Sequence, residues 1–497
     1  MTTAPTELPE SLSKTTREFL ERVPGKLLIA DEWAEAADSR TFATIDPATG
    51  DEVCQVAQGG AEDVRRAAEA AQAALDGPLR KVNAAKRSTL IWSLSDLVKA
   101  NGDELAELES LDNGKPLAMA KGDVAATVAH LRYFAGWPTK IEGETIPVSA
   151  RDVLCYTLRE PVGVCGQIIP WNFPLLMAAW KIAPALAAGC SIVLKPAEQT
   201  PLTALRLGEL ALEAGLPPGT LNVVTGDGET GAALVDDPGV AKIAFTGSTS
   251  VGREIAAKCG KALKRVTLEL GGKSPNIILE DADLSRAIKG SFQGIYFNSG
   301  QACNAGSRLY VARELYDEVV EGLSSFAADA TVGPGLDPSS DFGPLVSSEQ
   351  FERVKGYIDS GLEAGATAAA GGSPENGESG YFVSPTLFTD VSDEMEIARE
   401  EIFGPVLVAM PFDELEEVAA RANDTEYGLA AGLWTRDISN AHKLAGMLKA
   451  GNVYINSWGG GDPAAPFGGY KASGIGREKG HANLDAYLET KTVWTQL

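Results

Sequence analysis

VGVCGQIIPWNFPLLMAAWKIAPALAAGCSIVLK, residues 162–195, decides the fold class. Its two ends, VGVCGQII (162–169) and SIVLK (191–195), are short, apolar and rich in β-branched residues, the pattern of strands covered on both faces. The stretch between them, 174–188, reads as a helix. The alternation continues through LNVV (221–224), VAKIAF (240–245) and RVTLEL (265–270), with helices expected near 201–214, 229–236 and 249–259. Strands and helices in alternation imply a parallel sheet with helices on both faces, which binds ligands at the carboxyl ends of its strands.

On the N-terminal side, residues 1–60 read as a polar lead and short strands around the DPATG turn (46–50), followed by Ala-rich helices near 61–75, 84–101 and 121–137. On the C-terminal side a second α/β stretch begins near 275. Its strands are expected near 276–279, 308–312, 406–411, 429–434 and 452–456, and its helices near 283–298, 313–330, 347–364, 413–423 and 438–449. Residues 366–380 read as a loop by composition. The tail LDAYLETKTVWTQL (484–497) alternates apolar and polar residues as a strand does.

Composition narrows the function. The 497 residues carry 43 Lys plus Arg against 68 Asp plus Glu, a formal charge of −25. That balance argues against nucleic acid or an anionic membrane surface as partner, since both are held through Lys and Arg. The apolar run 174–194 is interrupted by Lys181, Pro184 and Gly189, so it does not read as a membrane span, and the first residues lack the features of a signal peptide. Six scattered cysteines with no CxxC pair suggest reduced thiols in a cytoplasmic protein. Three histidines without HxxxH spacing give no expectation of a metal site.

Four segments carry chemistry. Gly226–Gly231 spells GxGxxG after LNVV, yet no acidic residue closes the next strand, so a dinucleotide fingerprint and an ordinary glycine-rich turn both remain open. AFTGSTSVGRE (244–254) places Gly247 and Ser248 where a strand meets a helix N-terminus, whose free N–H groups favour an anion. Lys195 and Glu198 end another strand and suit a ribose diol, or else form a solvated ion pair. Cys303, in FNSGQACNAGSR (297–308), sits among small residues, as a nucleophile with room for substrate or as a packed thiol.

PWNFP (170–174), LKPAEQTP (194–201), FTGS (245–248), LELGGKSP (268–275), GQAC (300–303), EEIFGPV (400–406) and PFGGYKxSGxGRE (466–478) together resemble the aldehyde dehydrogenase superfamily along nearly the whole chain. The resemblance implies an α/β fold of two doubly wound parallel-sheet domains plus a small β oligomerisation arm. The Rossmann-like NAD-binding domain would comprise 1–135 and 160–269, the catalytic domain 270–474, and the arm 136–159 and 475–497. It implies a homo-oligomer, dimer or tetramer.

For chemistry the resemblance implies NAD as cofactor, with NADP weaker, and an aldehyde as substrate. Cys303 matches the nucleophile, forming a thiohemiacetal and then a thioester. Asn172 matches the oxyanion donor, Glu269 the base that activates water, and Lys181 and Glu478 positions that assist proton movement. Ile168, Trp171, Lys195, Glu198, Gly228, Gly247, Ser248, Leu270, Glu401 and Phe403 match the cofactor contacts, which moves the expected phosphate site to 247–248. Phe173, Trp180, Phe297 and Phe467 match the substrate-tunnel walls, and Gly459–Gly461 should widen the tunnel for medium to bulky aliphatic or aryl aldehydes. Glu269 argues for hydrolysis over transfer of the acyl group to CoA. The joint presence of Cys303, Glu269, Asn172, Lys195 and Glu401 argues against a catalytically idle relative. A cysteine esterase is the remaining rival.

Overall fold

The computed structural model describes residues 8–23, 25–373 and 380–497. The strands Val164–Ile168, Ser191–Lys195 and Lys242–Thr246 are buried at every position, as continuous apolar runs require. With Leu221–Val223 and Arg265–Glu269 they form the parallel centre of a sheet ordered Arg265–Glu269, Lys242–Thr246, Val164–Ile168, Ser191–Lys195, Leu221–Val223. Alternate side chains go to opposite faces. Val164, Ile168 and Val193 meet Val64, Ala67 and Ala71 of the helix Ala61–Asp76 in one core. Cys165, Ile192 and Leu194 meet Ile182, Ala183 and Leu186 of the helix Pro174–Ala188 in the other.

Antiparallel additions finish both edges. Leu27–Ile29 and Glu32–Ala34 extend the sheet beyond Leu221–Val223, and Gly474–Ile475 pairs with Leu268 and Glu269 at the other edge. The chain therefore returns from its second α/β unit to the first, next to Glu269. The second sheet runs Thr386–Thr389, Val406–Phe412, Arg308–Ala312, Pro275–Ile278, Ala430–Trp434, Asn452–Ile455, all parallel, with Thr367–Ala370 antiparallel on its outer edge. The tail forms the strand Leu488–Gln496, paired over its whole length with Val153–Pro161 of its own chain.

The expected strands and helices of both units are present, with three differences. Gly102–Asn113 is a helix that periodicity did not mark, because it is buried almost all round and pairs its acids internally. Thr367–Ala370, expected in the loop 366–380, is an edge strand with alternating exposure; 374–379 lie outside the described residues. The polar lead contains the helix Lys14–Arg22, capped by Ser13. Among the described residues no helix is long and apolar enough to cross a membrane.

Candidate active site

Cys303 stands just after the helix Leu284–Tyr296 and a tight turn, Phe297–Gly300, in which Asn298 and Ser299 take positive φ of 52° and 54°. Side chains hold the turn in that conformation. Asn298 Nδ2 donates to the Asn172 carbonyl at 2.9 Å, and Ser299 Oγ to the Gly343 carbonyl at 2.7 Å. Asn172 Nδ2 donates to the Gln301 carbonyl at 2.9 Å, which brings this buried amide beside Cys303 and leaves its second N–H free.

Two cavities meet at Cys303. One, of about 940 Å³, is walled by Phe173, Trp180, Phe297 and Phe467, with Gly459–Gly461 at its side. Phe173 and Phe297 stack at 5.9 Å, and Trp180 meets Phe467 edge-on at 5.3 Å. The other, of about 550 Å³, is lined by Trp171, Asn172, Gly247, Ser248, Glu269, Glu401 and Phe403. Cys303 lines both.

Glu269 ends the strand Arg265–Glu269 at its carboxyl end, and both its carboxylate oxygens are buried without a hydrogen-bond partner. Burial pushes its pKa up from 4.5 to about 8; Lys181 opposes the rise, while Glu478 and Glu401 add to it. The Cys303 thiol is likewise pushed well above 9.0, by burial and then by the Glu269 and Glu401 carboxylates, and the backbone N–H groups of Asn304 and Cys303 oppose the shift. The Cys303 thiol in turn opposes the rise at Glu269, so thiol and carboxyl group face each other.

The glycines after Glu269 are required by contact. A Cβ on Gly271 would lie 2.1 Å from Glu401 Oε2, and one on Gly272 would lie 2.6 Å from the Cys303 carbonyl. Gly272 N–H donates to Glu401 Oε1 at 2.9 Å. Glu401 is raised to about 7 by burial, with that N–H, Arg353 and Lys273 acting against the rise. Trp171 and Phe403 meet edge-to-face at 5.2 Å across this cavity.

The structure also separates the two glycine-rich turns. Asp227 caps the helix Gly228–Asp236 and accepts from the N–H groups of Glu229 and Thr230, so the GxGxxG turn offers its donors to its own side chain. Gly247 and Ser248 line the second cavity at the start of the helix Thr249–Ala262. Gly247 N–H is already donated to the Glu269 carbonyl at 3.1 Å. Its contribution is the missing side chain, since a Cβ there would lie 2.5 Å from the Phe245 ring.

Lys195 and Glu198 form an ion pair of 3.2 Å at the end of Ser191–Lys195, with Lys195 buried and its pKa lowered by that burial. Neither lines the second cavity, and nor do Ile168 and Gly228. A side chain at Gly228 would meet open space, and the 8% exposure of Ile168 leaves it only a small accessible face. Leu270 does not line the second cavity either, and its side chain packs against Gly252. Lys181 and Glu478 are no solvated pair. Both are buried, joined at 2.7 Å, and Lys181 also donates to Thr246 Oγ1 at 2.7 Å.

Other residues of the site escaped the sequence reading. Arg353 Nη2 donates to the Glu401 carbonyl at 2.6 Å, and Gln350 Nε2 to the Phe403 carbonyl at 2.8 Å, which together fix the segment carrying both. Ser473 Oγ donates to the Gly271 carbonyl at 2.7 Å and accepts from Gly428 N–H at 2.9 Å. Ser473 lies inside a recognised motif; Arg353 and Gln350 sit on an ordinary amphipathic helix, Ser348–Glu363, and carry no signal in sequence. His130, Tyr454, Trp458 and Lys479 complete the first cavity.

The sequence model of the aldehyde dehydrogenase family matches residues 33–493. The mitochondrial aldehyde dehydrogenase of Homo sapiens is 49% identical over 473 residues, 94% of this chain and 91% of that protein. The NAD+ complex of an aldehyde dehydrogenase from Bacillus cereus superposes with a TM-score of 0.96 at 52% identity, covering 98% of this chain and 99% of that one. A Staphylococcus aureus betaine aldehyde dehydrogenase in complex with NAD+ gives 0.95 at 38% identity, covering 97% of each chain. With the family model spanning most of its length and close relatives covering almost all of it, the chain belongs to the aldehyde dehydrogenase family.

Proposed function

We propose that the chain oxidises aldehydes to carboxylic acids with NAD, through a thioester on Cys303. The observation that carries the reading is the junction of two cavities at one cysteine, with a buried, unpartnered carboxyl group, Glu269, beside it. The second cavity fits a dinucleotide. There the helix N-terminus at Ser248 would hold the phosphates, Glu401 a ribose diol, and Trp171 and Phe403 the nicotinamide. Lys195 and Glu198 would hold the second ribose, and Glu198 would repel the extra phosphate of NADP. When bound, NAD supplies the hydride acceptor.

The chain's own residues do the rest. Cys303 attacks the carbonyl carbon as the thiolate, its proton passing to the Glu269 carboxylate, and the free N–H of Asn172 with the Cys303 backbone N–H stabilises the oxyanion of the thiohemiacetal. After oxidation to the thioester, Glu269 takes a proton from water, whose oxygen attacks the acyl carbon; the C–S bond breaks and releases the carboxylic acid and the Cys303 thiolate. Lys181 and Glu478, joined to Thr246 next to the strand carrying Glu269, would pass that proton on. The apolar tunnel suits medium to bulky aliphatic or aryl aldehydes. Six cysteines free of disulfides support a cytoplasmic setting.

The test is NADH formation, followed by absorbance, with aldehydes from acetaldehyde to phenylacetaldehyde and no CoA, for the wild type and C303A. Turnover that is lost in C303A, faster with the bulkier aldehydes and weaker with NADP, is expected. Turnover that survives in C303A would overturn the mechanism, and a preference for acetaldehyde would overturn the tunnel reading.

A further inference from the structure

The aromatic tunnel contains one feature that an apolar substrate does not use. Lys479 is only 3% exposed, yet it lines the cavity, and among the described residues no hydrogen bond or ion pair within 4.0 Å holds its ammonium. Two rings of the wall lie near it, Trp180 at 5.2 Å and Phe467 at 5.9 Å from Nζ to the ring centroid. Its placement follows from local geometry. Phe467 and Glu478 exchange backbone hydrogen bonds of 2.7 Å, Glu478 points inward to Lys181, and the next side chain, Lys479, projects to the tunnel side. On the facing helix Lys181 and Trp180 divide in the same way, so a buried ion pair and a cation-on-ring pair lie back to back.

The backbone at Lys479 has φ of 61°, a conformation that costs a non-glycine residue free energy. His130 lines the same cavity, is 1% exposed, and leaves Nε2 without a partner. Burial, with Lys479 adding, pushes His130 down to about 3, so at neutral pH it is a neutral polar group. Other charges of the cavity are placed differently. Asp123 is bound to Lys115, while Lys289, Asp329 and Asp341 lie on its exposed rim. Asp462 is the acid that acts on Lys479, and its Oδ1 is engaged by the Ala464 N–H at 2.8 Å.

We infer that Lys479 is a specificity-determining residue which receives an anionic group, a carboxylate, at the end of the substrate remote from its aldehyde. This rests on the reading of the chain as an aldehyde-oxidising enzyme and names its substrate class as aldehydes with an apolar body and a distal carboxylate. Desolvated by its aromatic surroundings, the ammonium gains most from a ligand that brings the opposite charge. A cationic substrate head would be repelled by the same group.

The experiment compares phenylacetaldehyde with its para-carboxylated analogue in the wild type, K479M and K479R. The wild type should favour the carboxylated aldehyde in kcat/KM. In K479M that preference should fall about tenfold or more, through the KM of the carboxylated substrate, and K479R should restore much of it. An unchanged preference in K479M would overturn the inference. Calorimetry with p-toluate, an unreactive carboxylate, reads the site without turnover: weaker binding in K479M upholds it and equal binding overturns it. If p-toluate binding depends on Lys479 but no aldehyde is oxidised, the activity reading fails and the site stands.

Discussion

Glu269 concentrates the chemistry. Its carboxyl group is held neutral up to about pH 8 because burial removes water and no hydrogen-bond donor replaces it. Hydrolysis of the thioester needs the ionised form, so the deacylation rate should rise with pH and level off above about 8, measured by single-turnover kinetics. In E269Q an acyl-enzyme should form but turn over at least a hundredfold more slowly. Stability runs the other way. The native pKa lies above the ordinary 4.5, so the folded state binds the extra proton and this group favours folding less as pH rises from 4.5 through 8. The melting temperature of E269Q should therefore gain on the wild type between pH 6 and pH 9. Equal pH dependence in the two proteins would show that Glu269 is ionised throughout.

The helix Gly102–Asn113 shows why some elements are invisible in sequence. Glu104, Glu109 and Asp112 face inward, where partners outside the helix await them. Glu104 meets Arg206 at 3.0 Å, Asp112 accepts from Leu202 N–H at 3.1 Å, and Glu109 meets Lys115 at 2.7 Å. Lys115 also reaches Asp123 at 2.7 Å and lies over the Phe173 ring at 4.5 Å. Glu109 Oε2 accepts from Leu175 N–H at 3.3 Å, at the start of the helix that follows Asn172 and Phe173. The network thus ties a structural helix to the tunnel wall. Removing the cation shared by Glu109 and Asp123 in K115M leaves two facing carboxylates and should lower stability by about 3–5 kcal/mol, read from the denaturant midpoint. A change within about 0.5 kcal/mol would mean that the carboxyl groups protonate and share a hydrogen bond at little cost.

Across the whole chain the ribbon of Val153–Pro161 and Leu488–Gln496 stands apart from both sheets. Leu154 and Leu158 on one face of it and Trp494 on the other are 43%, 42% and 57% exposed, apolar surface that a monomer gains little by keeping. A homo-oligomer, dimer or tetramer, formed through this ribbon is the expected state. Light scattering should give a multiple of the 52.1 kDa chain mass for the wild type and a smaller particle for the L154D/W494D double variant. A wild type of single-chain mass would refute the arrangement.

Local chemistry was enough to locate much of this molecule in its sequence. Apolar runs marked the parallel strands because burial on both faces favours apolar residues at most of their positions, and Cys303, Glu269, Asn172 and Glu401 lay in recognisable segments. Other properties depended on residues far apart in the chain. That Asp227 consumes the donors of the GxGxxG turn, that Leu270 packs against Gly252 while its neighbours line the second cavity, and that Arg353 holds the Glu401 segment follow from side-chain direction and packing. The free proton on Glu269 and the unpartnered ammonium of Lys479 were likewise decided only by the tertiary structure. Charge state and affinity depend on what surrounds a group in space, and a sequence specifies only what precedes and follows it.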